Sequence, residues 1–204
     1  MPRVILQPEQ FKRLLRRRRA MGGDLYDEVW DGVYVMSPLA DNQHQKIGLD
    51  LATAFKMADL GEPEVQIFHG TNVSDRREGW RKNYRCPDVA VFLPGNPAED
   101  RGTHWLGGPD FAVEILSPRD RSRKKFDFYA KVGVRELLFV ERQPWRLELY
   151  RRDAEGWALA GTSSAETSES LASRVLPLTF RLLPGKPRPQ IAVARADGAR
   201  TWTI

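Results

Sequence analysis

The chain has 204 residues, 41% of them apolar and 29% charged, with a formal net charge of +5. That length fits one domain with a sizeable core, and that balance of apolar and charged residues excludes a disordered chain. The basic excess permits an anionic partner without requiring one; Cys86, the only cysteine, excludes a disulfide-stapled design; and no apolar run approaches the ~18 residues of a membrane span, so the cytoplasm is the expected compartment.

Pro8 to Ala20 reads as a helix with proline at its start and Phe11, Leu14 and Leu15 at helical spacing. Arg16 to Arg19 ends it, a charge run read as a solvated helix end with phosphate binding as the alternative. Leu25 to Trp30 and Val33 to Met36 flank Asp31-Gly32, a two-residue signal for a tight β-hairpin that Ser37-Pro38 closes. Asp41 to Leu60 is the longest expected helix, with an Asp or Asn cap, then Ile47, Leu51, Ala54, Phe55 and Ala58 on one face, and Gly61 as its stop. Strands are expected at Glu64 to Phe68, Arg85 to Leu93 and Asp110 to Leu116. The long Pro94 to Pro109 segment between the last two is either a lid beside the substrate or plain variation. Arg121 to Val132 is a second core-facing helix, stopped by Gly133, and Arg135 to Arg142 is a strand with an apolar centre. Short strands and turns follow over Arg146 to Tyr150, Trp157 to Ala160, Val175 to Leu183 and Ile191 to Ile204. No repeat or boundary divides residues 1–204, which read as a single domain.

Two acids lie inside apolar strands. In Cys86 to Leu93, Asp88, Ala90 and Phe92 share one face; in Asp110 to Leu116, Ala112, Glu114 and Leu116 do. Both strands are apolar on both faces, where an ionised carboxylate is costly without a cation or strong hydrogen bonds. If they pair antiparallel, one register sets Asp88 opposite Glu114, Ala90 opposite Ala112 and Phe92 opposite Asp110. Cβ atoms at opposed positions are only ~5 Å apart, so the two carboxylates repel unless a divalent cation or a shared proton intervenes. Oxygen ligands suit magnesium or manganese. On the helix that follows, Lys125 shares the inward stripe with Phe128, Tyr129 and Val132, whereas Lys124 aligns with Asp127 and Lys131.

With these residues in order, the sequence resembles the PD-(D/E)xK nuclease superfamily and, within it, the Uma-two family of endonucleases. The matching words are Asp31-Gly32, Met36-Ser37-Pro38, His44, Pro87-Asp88-Val89, Val113 to Pro118, and Lys125 to Tyr129 with Gly133-Val134. The resemblance spans a core of about residues 22–183 and implies an α/β (α+β), restriction-endonuclease-like fold, a mixed central sheet flanked by helices, with additional N- and C-terminal β-strands. It implies a metal-dependent endonuclease hydrolysing the phosphodiester bonds of nucleic acid, DNA foremost, in which Asp88 and Glu114 hold Mg2+ or Mn2+. Where the superfamily often has Glu-x-Lys, this chain has Glu114-Ile115-Leu116, and Lys125 looks like the migrated lysine. Glu28 and His44 match family positions without an assigned role, and Val33 stands where the family is often acidic. Lys125 would orient water or offset developing charge, and Arg121, Arg123 and Lys124 would hold backbone phosphates if they are not solvated surface. Lone His69 and His104 read as surface residues and Cys86 as an apolar filler. The rivals are a catalytically silent nucleic-acid-binding or interaction module and a hydrolase of another phosphate ester. A homodimer would suit cutting of two strands.

Overall fold

A computed structural model describes residues 8–24, 26–37, 40–60, 64–117 and 121–204. Leu25, Pro38, Gly61 and Pro118, on which parts of the hairpin, helix-stop and motif readings rest, lie outside the described residues.

Helix α1, Pro8–Ala20, turns Phe11, Leu14, Leu15 and Arg18 toward the protein and leaves Arg13, Arg16 and Arg17 exposed. It is fastened to the hairpin Glu28–Trp30 and Val33–Val35. Phe11 meets Tyr34 edge-on at 5.8 Å, and Arg18 donates through Nε to Asp27 at 2.8 Å and through its terminal nitrogen to the Ser37 carbonyl at 2.9 Å. The hairpin pairs Trp30 with Val33 across Asp31 (φ 48°) and Gly32 (φ 84°). Two consecutive left-handed residues match the twist of the flanking strands, and Asp-Gly supplies them at least strain.

The central sheet runs Gly156–Ser164, Trp145–Asp153, Glu136–Arg142, Phe111–Leu116, Val89–Phe92, Gln66–His69. Only the Phe111–Leu116 and Glu136–Arg142 pair is parallel; the rest are antiparallel. A parallel pair needs a crossover. Here it is a 3-10 turn, Ser122–Lys125, leading into the short helix α3, Phe126–Val132. The longer helix α2, Asn42–Met57, begins at the Asp41 cap and covers one face. Its Ile47, Leu51, Ala54 and Phe55 pack with Val89, Val91, Phe111, Val113 and Ile115. On the other face Phe128 and Tyr129 meet Ala90, Ala112, Leu116, Leu137 and Phe139. The alternation read from the sequence therefore buries both sides of the middle strands.

Two further sheets flank this one. The C-terminal sheet, Leu171–Ala172, Leu178–Leu183, Gln190–Arg195 and Thr201–Thr203, adds Leu178, Phe180, Leu182, Ile191 and Val193 to the α2 side of the core. The N-terminal hairpin extends through Tyr84–Arg85, Val73–Ser74, Trp105–Leu106 and Glu99–Asp100. The Pro94 to Pro109 segment is thus no lid: it supplies two of these strands, and Trp105 stacks on Phe92 at 3.9 Å. Strands of two residues are too short to show alternation. Nor is His104 at the surface; it is 7% exposed with its ring stacked on Trp80 at 4.6 Å, and His69 is half-buried.

Candidate active site

The register expected for the two acidic strands is the one found, with Val89 opposite Val113, Ala90 opposite Ala112 and Val91 opposite Phe111. Extending it by one residue brings Asp88 level with Glu114, and the Asp88 N–H donates to the Val113 carbonyl at 3.0 Å.

The two carboxylates nevertheless have separate partners. Asp88 Oδ2 accepts the Ile115 N–H at 2.6 Å, and Oδ1 lies 2.8 Å from His44 Nε2. His44 stands in the first turn of α2, where its own N–H donates to the capping Asp41 carboxylate at 2.8 Å. Arg142 Nη1 donates to the same Asp41 at 2.8 Å, so the cap that starts the helix also fixes the histidine. Burial pushes the His44 pKa down, but the bond to Asp88 and its charge outweigh that and raise it. Its Nδ1 is buried with no hydrogen-bond partner among the described residues.

Glu114 is the better enclosed of the two, its side chain 3% exposed against 16% for Asp88. Lys125 Nζ donates to Oε1 at 2.8 Å and to Oε2 at 2.9 Å, Ser122 Oγ donates to Oε2 at 2.9 Å, and the Tyr129 hydroxyl donates to Oε1. The third contact of Lys125 is to Glu28 Oε1, at 2.9 Å. Glu28 also accepts the Cys86 N–H at 2.8 Å and the Trp30 indole N–H at 2.6 Å. Burial, opposed by Lys125 and reinforced by Asp88 and Glu28, pushes the Glu114 pKa up to about 7. Glu114 and Glu28 overcome the burial of Lys125 and hold its ammonium firmly charged, whereas burial holds the Tyr129 hydroxyl firmly protonated.

The local fold explains how Lys125 arrives. An α-helix over Arg121 to Val132 is not what forms: Ser122–Lys125 is a 3-10 turn and α3 starts only at Phe126. In a 3-10 turn residues three apart eclipse, so Ser122 and Lys125 project together onto Glu114. The inward placement of Lys125 and the outward placement of Lys124 are as expected. Arg123 is turned elsewhere: it donates to Glu148 at 2.6 Å and lies over the Phe139 ring. Arg121 and Lys124 are exposed beside it. Cys86 is more than filler, since its backbone anchors Glu28; burial pushes its thiol pKa far up, so it stays protonated.

The divalent ion implied by the resemblance does not fit the carboxylates as they are held. A carboxylate offers about four acceptor positions, and Lys125 twice, Ser122 and Tyr129 take all of those on Glu114. The like-charge repulsion expected between Asp88 and Glu114 is offset in part by His44 and Lys125 from the chain itself. Among the described residues no group of three or more His, Cys, Asp or Glu side chains is disposed to hold a metal. Sequence reasoning missed Ser122 and Tyr129 as partners of Glu114. The signal was their spacing, three before and four after Lys125.

A family model, Uma2, described as "Putative restriction endonuclease", matches residues 8–185. No curated protein matches the chain. Among solved structures, a protein from Anabaena variabilis ATCC 29413, described as a "putative nuclease belonging to DUF820", superposes with a TM-score of 0.52 at 17% identity, over 65% of this chain and 75% of that one. At that identity the likeness speaks for the fold.

Proposed function

The chain belongs to the Uma2 family, and from that membership we propose that it hydrolyses phosphodiester bonds of nucleic acid, DNA first among them, at the site around Asp88, Glu114 and Lys125. The observation that carries the reading is the convergence of two linked groups at opposed strand positions: Asp88, which reaches solvent and is held by His44, and Glu114, which with Glu28 holds the buried Lys125 ammonium.

Phosphodiester hydrolysis needs a water oriented and deprotonated, charge offset on the phosphoryl oxygens, and a proton for the leaving oxygen, which solvent water supplies while Asp88 takes the proton of the attacking water. Asp88 is the carboxylate placed to meet water. Each of its oxygens holds one donor and so keeps acceptor capacity. His44 and the Ile115 N–H hold it in place. Lys125 supplies the positive charge, and Glu28 and Glu114 keep that charge fixed, which is worth most in a site with little water. Ser122 and Tyr129 position Glu114. Magnesium or manganese would enter only where Glu114 gives up a donor, so the steps proposed rest on the chain's own groups. Cutting both strands of a duplex would call for two copies, each bringing one site.

The saturated Glu28–Lys125–Glu114 cluster also favours a second reading, a nucleic-acid-binding module that keeps the fold without cleavage. One screen separates them: single- and double-stranded DNA and RNA, incubated with magnesium, manganese or a chelator, for the wild type and Asp88→Asn. Cleavage by the wild type alone supports the nuclease. Binding without cleavage under every condition supports the silent module, and neither binding nor cleavage overturns both.

A further inference from the structure

The net charge of the chain is unevenly placed. Residues 8–20 carry six cations against Glu9, residues 171–204 carry six against Asp197, and residues 21–170, which hold the whole candidate site, carry 19 against 25 anions. A polyanion approaching that acidic middle is repelled unless a basic segment holds it. The two basic segments differ in arrangement: in the C-terminal one Arg181 and Lys186 are exposed but share no helical face. In the C-terminal sheet Arg188, Arg195 and Arg200 spend their guanidinium groups on backbone carbonyls, Arg195 and Arg200 at the end of α2 opposite to His44. On α1, Arg18 and Arg19 pair with Asp27 and Asp24, but Arg13, Arg16 and Arg17 are exposed and have no ion-pair partner among the described residues. These three lie at i, i+3 and i+4, on one face of the helix.

The helix is also anchored near the site, through its opposite face. Arg18 is bonded to Asp27, the residue next to Glu28, and to the Ser37 carbonyl, so α1 is clamped to the strand that delivers Glu28 to Lys125. We propose that Arg13, Arg16 and Arg17 form a rail that binds the phosphate backbone of the nucleic acid and leads it to the site. The inference rests on the nuclease reading for its partner. It requires nothing of the catalytic step. Arginine on one rigid helical face suits successive phosphates, which fix register and orientation and carry no base specificity.

The test uses the full chain and a short fluorescein-labelled DNA duplex, read by anisotropy over a salt series. In Arg13→Gln/Arg16→Gln/Arg17→Gln the slope of log K against log salt should shrink by about 2.7, because each phosphate contact contributes ~0.9. Between about 50 and about 200 mM salt the wild type should then lose about 40-fold more affinity than the variant. Lys186→Gln, in the other basic segment, should leave the slope unchanged. Equal slopes and affinities for wild type and triple variant, with the variant folded by circular dichroism, would overturn the rail while leaving the nuclease reading standing. A wild type that neither binds nor cuts nucleic acid would overturn both. Weakened binding in the triple variant would support the rail even if the protein cuts nothing.

Discussion

The chemistry at the site turns on one ammonium and its two carboxylates. Lys125 is 6% exposed and spends its three contacts on Glu28 and Glu114, so truncating it leaves two buried charges without their cation. Breaking such a pair costs roughly 3–5 kcal/mol. Lys125→Ala should therefore lose both stability in urea and cleavage, whereas Lys124→Ala, on the exposed side, should change stability by less than about 0.5 kcal/mol. Equal losses would contradict the placement. The Glu114 carboxyl yields a pH test. Its pKa is about 7 in the fold against an ordinary 4.5, so the folded protein holds that proton more tightly than the unfolded chain. The contribution is complete below about 4.5 and is lost as pH rises through about 7. Across that window the wild type should lose stability relative to Glu114→Gln, as read from paired urea midpoints; a constant difference would show that Glu114 does not titrate there. Asp88, Glu114 and Lys125 were legible in the sequence because a charge inside an apolar pattern demands an explanation. Glu28 was marked only by the resemblance, without a role, because its strand is three residues long and its partners come from residues 86, 30 and 125.

Among the elements, α2 ties the site to the fold. Asp41 caps it, receives Arg142 and accepts the His44 N–H, so one side chain sets the helix start and the place of the histidine that holds Asp88. Asp41→Ala should cost about 1 kcal/mol as a lost cap, measured by chemical denaturation, and should lower cleavage through His44. Arg142 and the His44 N–H hold the Asp41 pKa down to about 2. Its contribution is then present above the ordinary 3.8 and lost as pH falls toward about 2, so the variant should show a shallower acid limb than the wild type. An identical acid limb would mean Asp41 is not held by Arg142 in solution. This helix, the Asp31-Gly32 hairpin and the register of the acidic strands were all readable, because caps, turn chemistry and alternation are local codes. The 3-10 turn before α3 and the strands within Pro94 to Pro109 were not. Both depend on tertiary partners, Glu114 for the first and Val73–Ser74 for the second.

Across the whole molecule the C-terminal sheet is joined to the central one by a shared core and by Glu136. That buried carboxylate accepts Arg151 Nε at 2.7 Å, the Arg174 N–H at 3.0 Å and the Ser173 hydroxyl. Glu136→Ala should cost roughly 3–5 kcal/mol and expose residues 165–170 to limited proteolysis; unchanged denaturation and cleavage patterns would show that the shared core suffices. The buried charges have a further effect on how the strands find one another. Side chains alternate along a strand, so sliding Phe111–Leu116 by one residue would turn Glu114 to the α2 face and put an apolar side chain against Lys125. The apolar residues alone discriminate poorly against that slip, since Phe111, Val113 and Ile115 on one side and Ala112 and Leu116 on the other would still be buried. An ammonium stranded in a dry interior would not tolerate it. The Glu114–Lys125 pair of the proposed site thus acts earlier, as a key that admits one alignment of the sheet and rejects its neighbours.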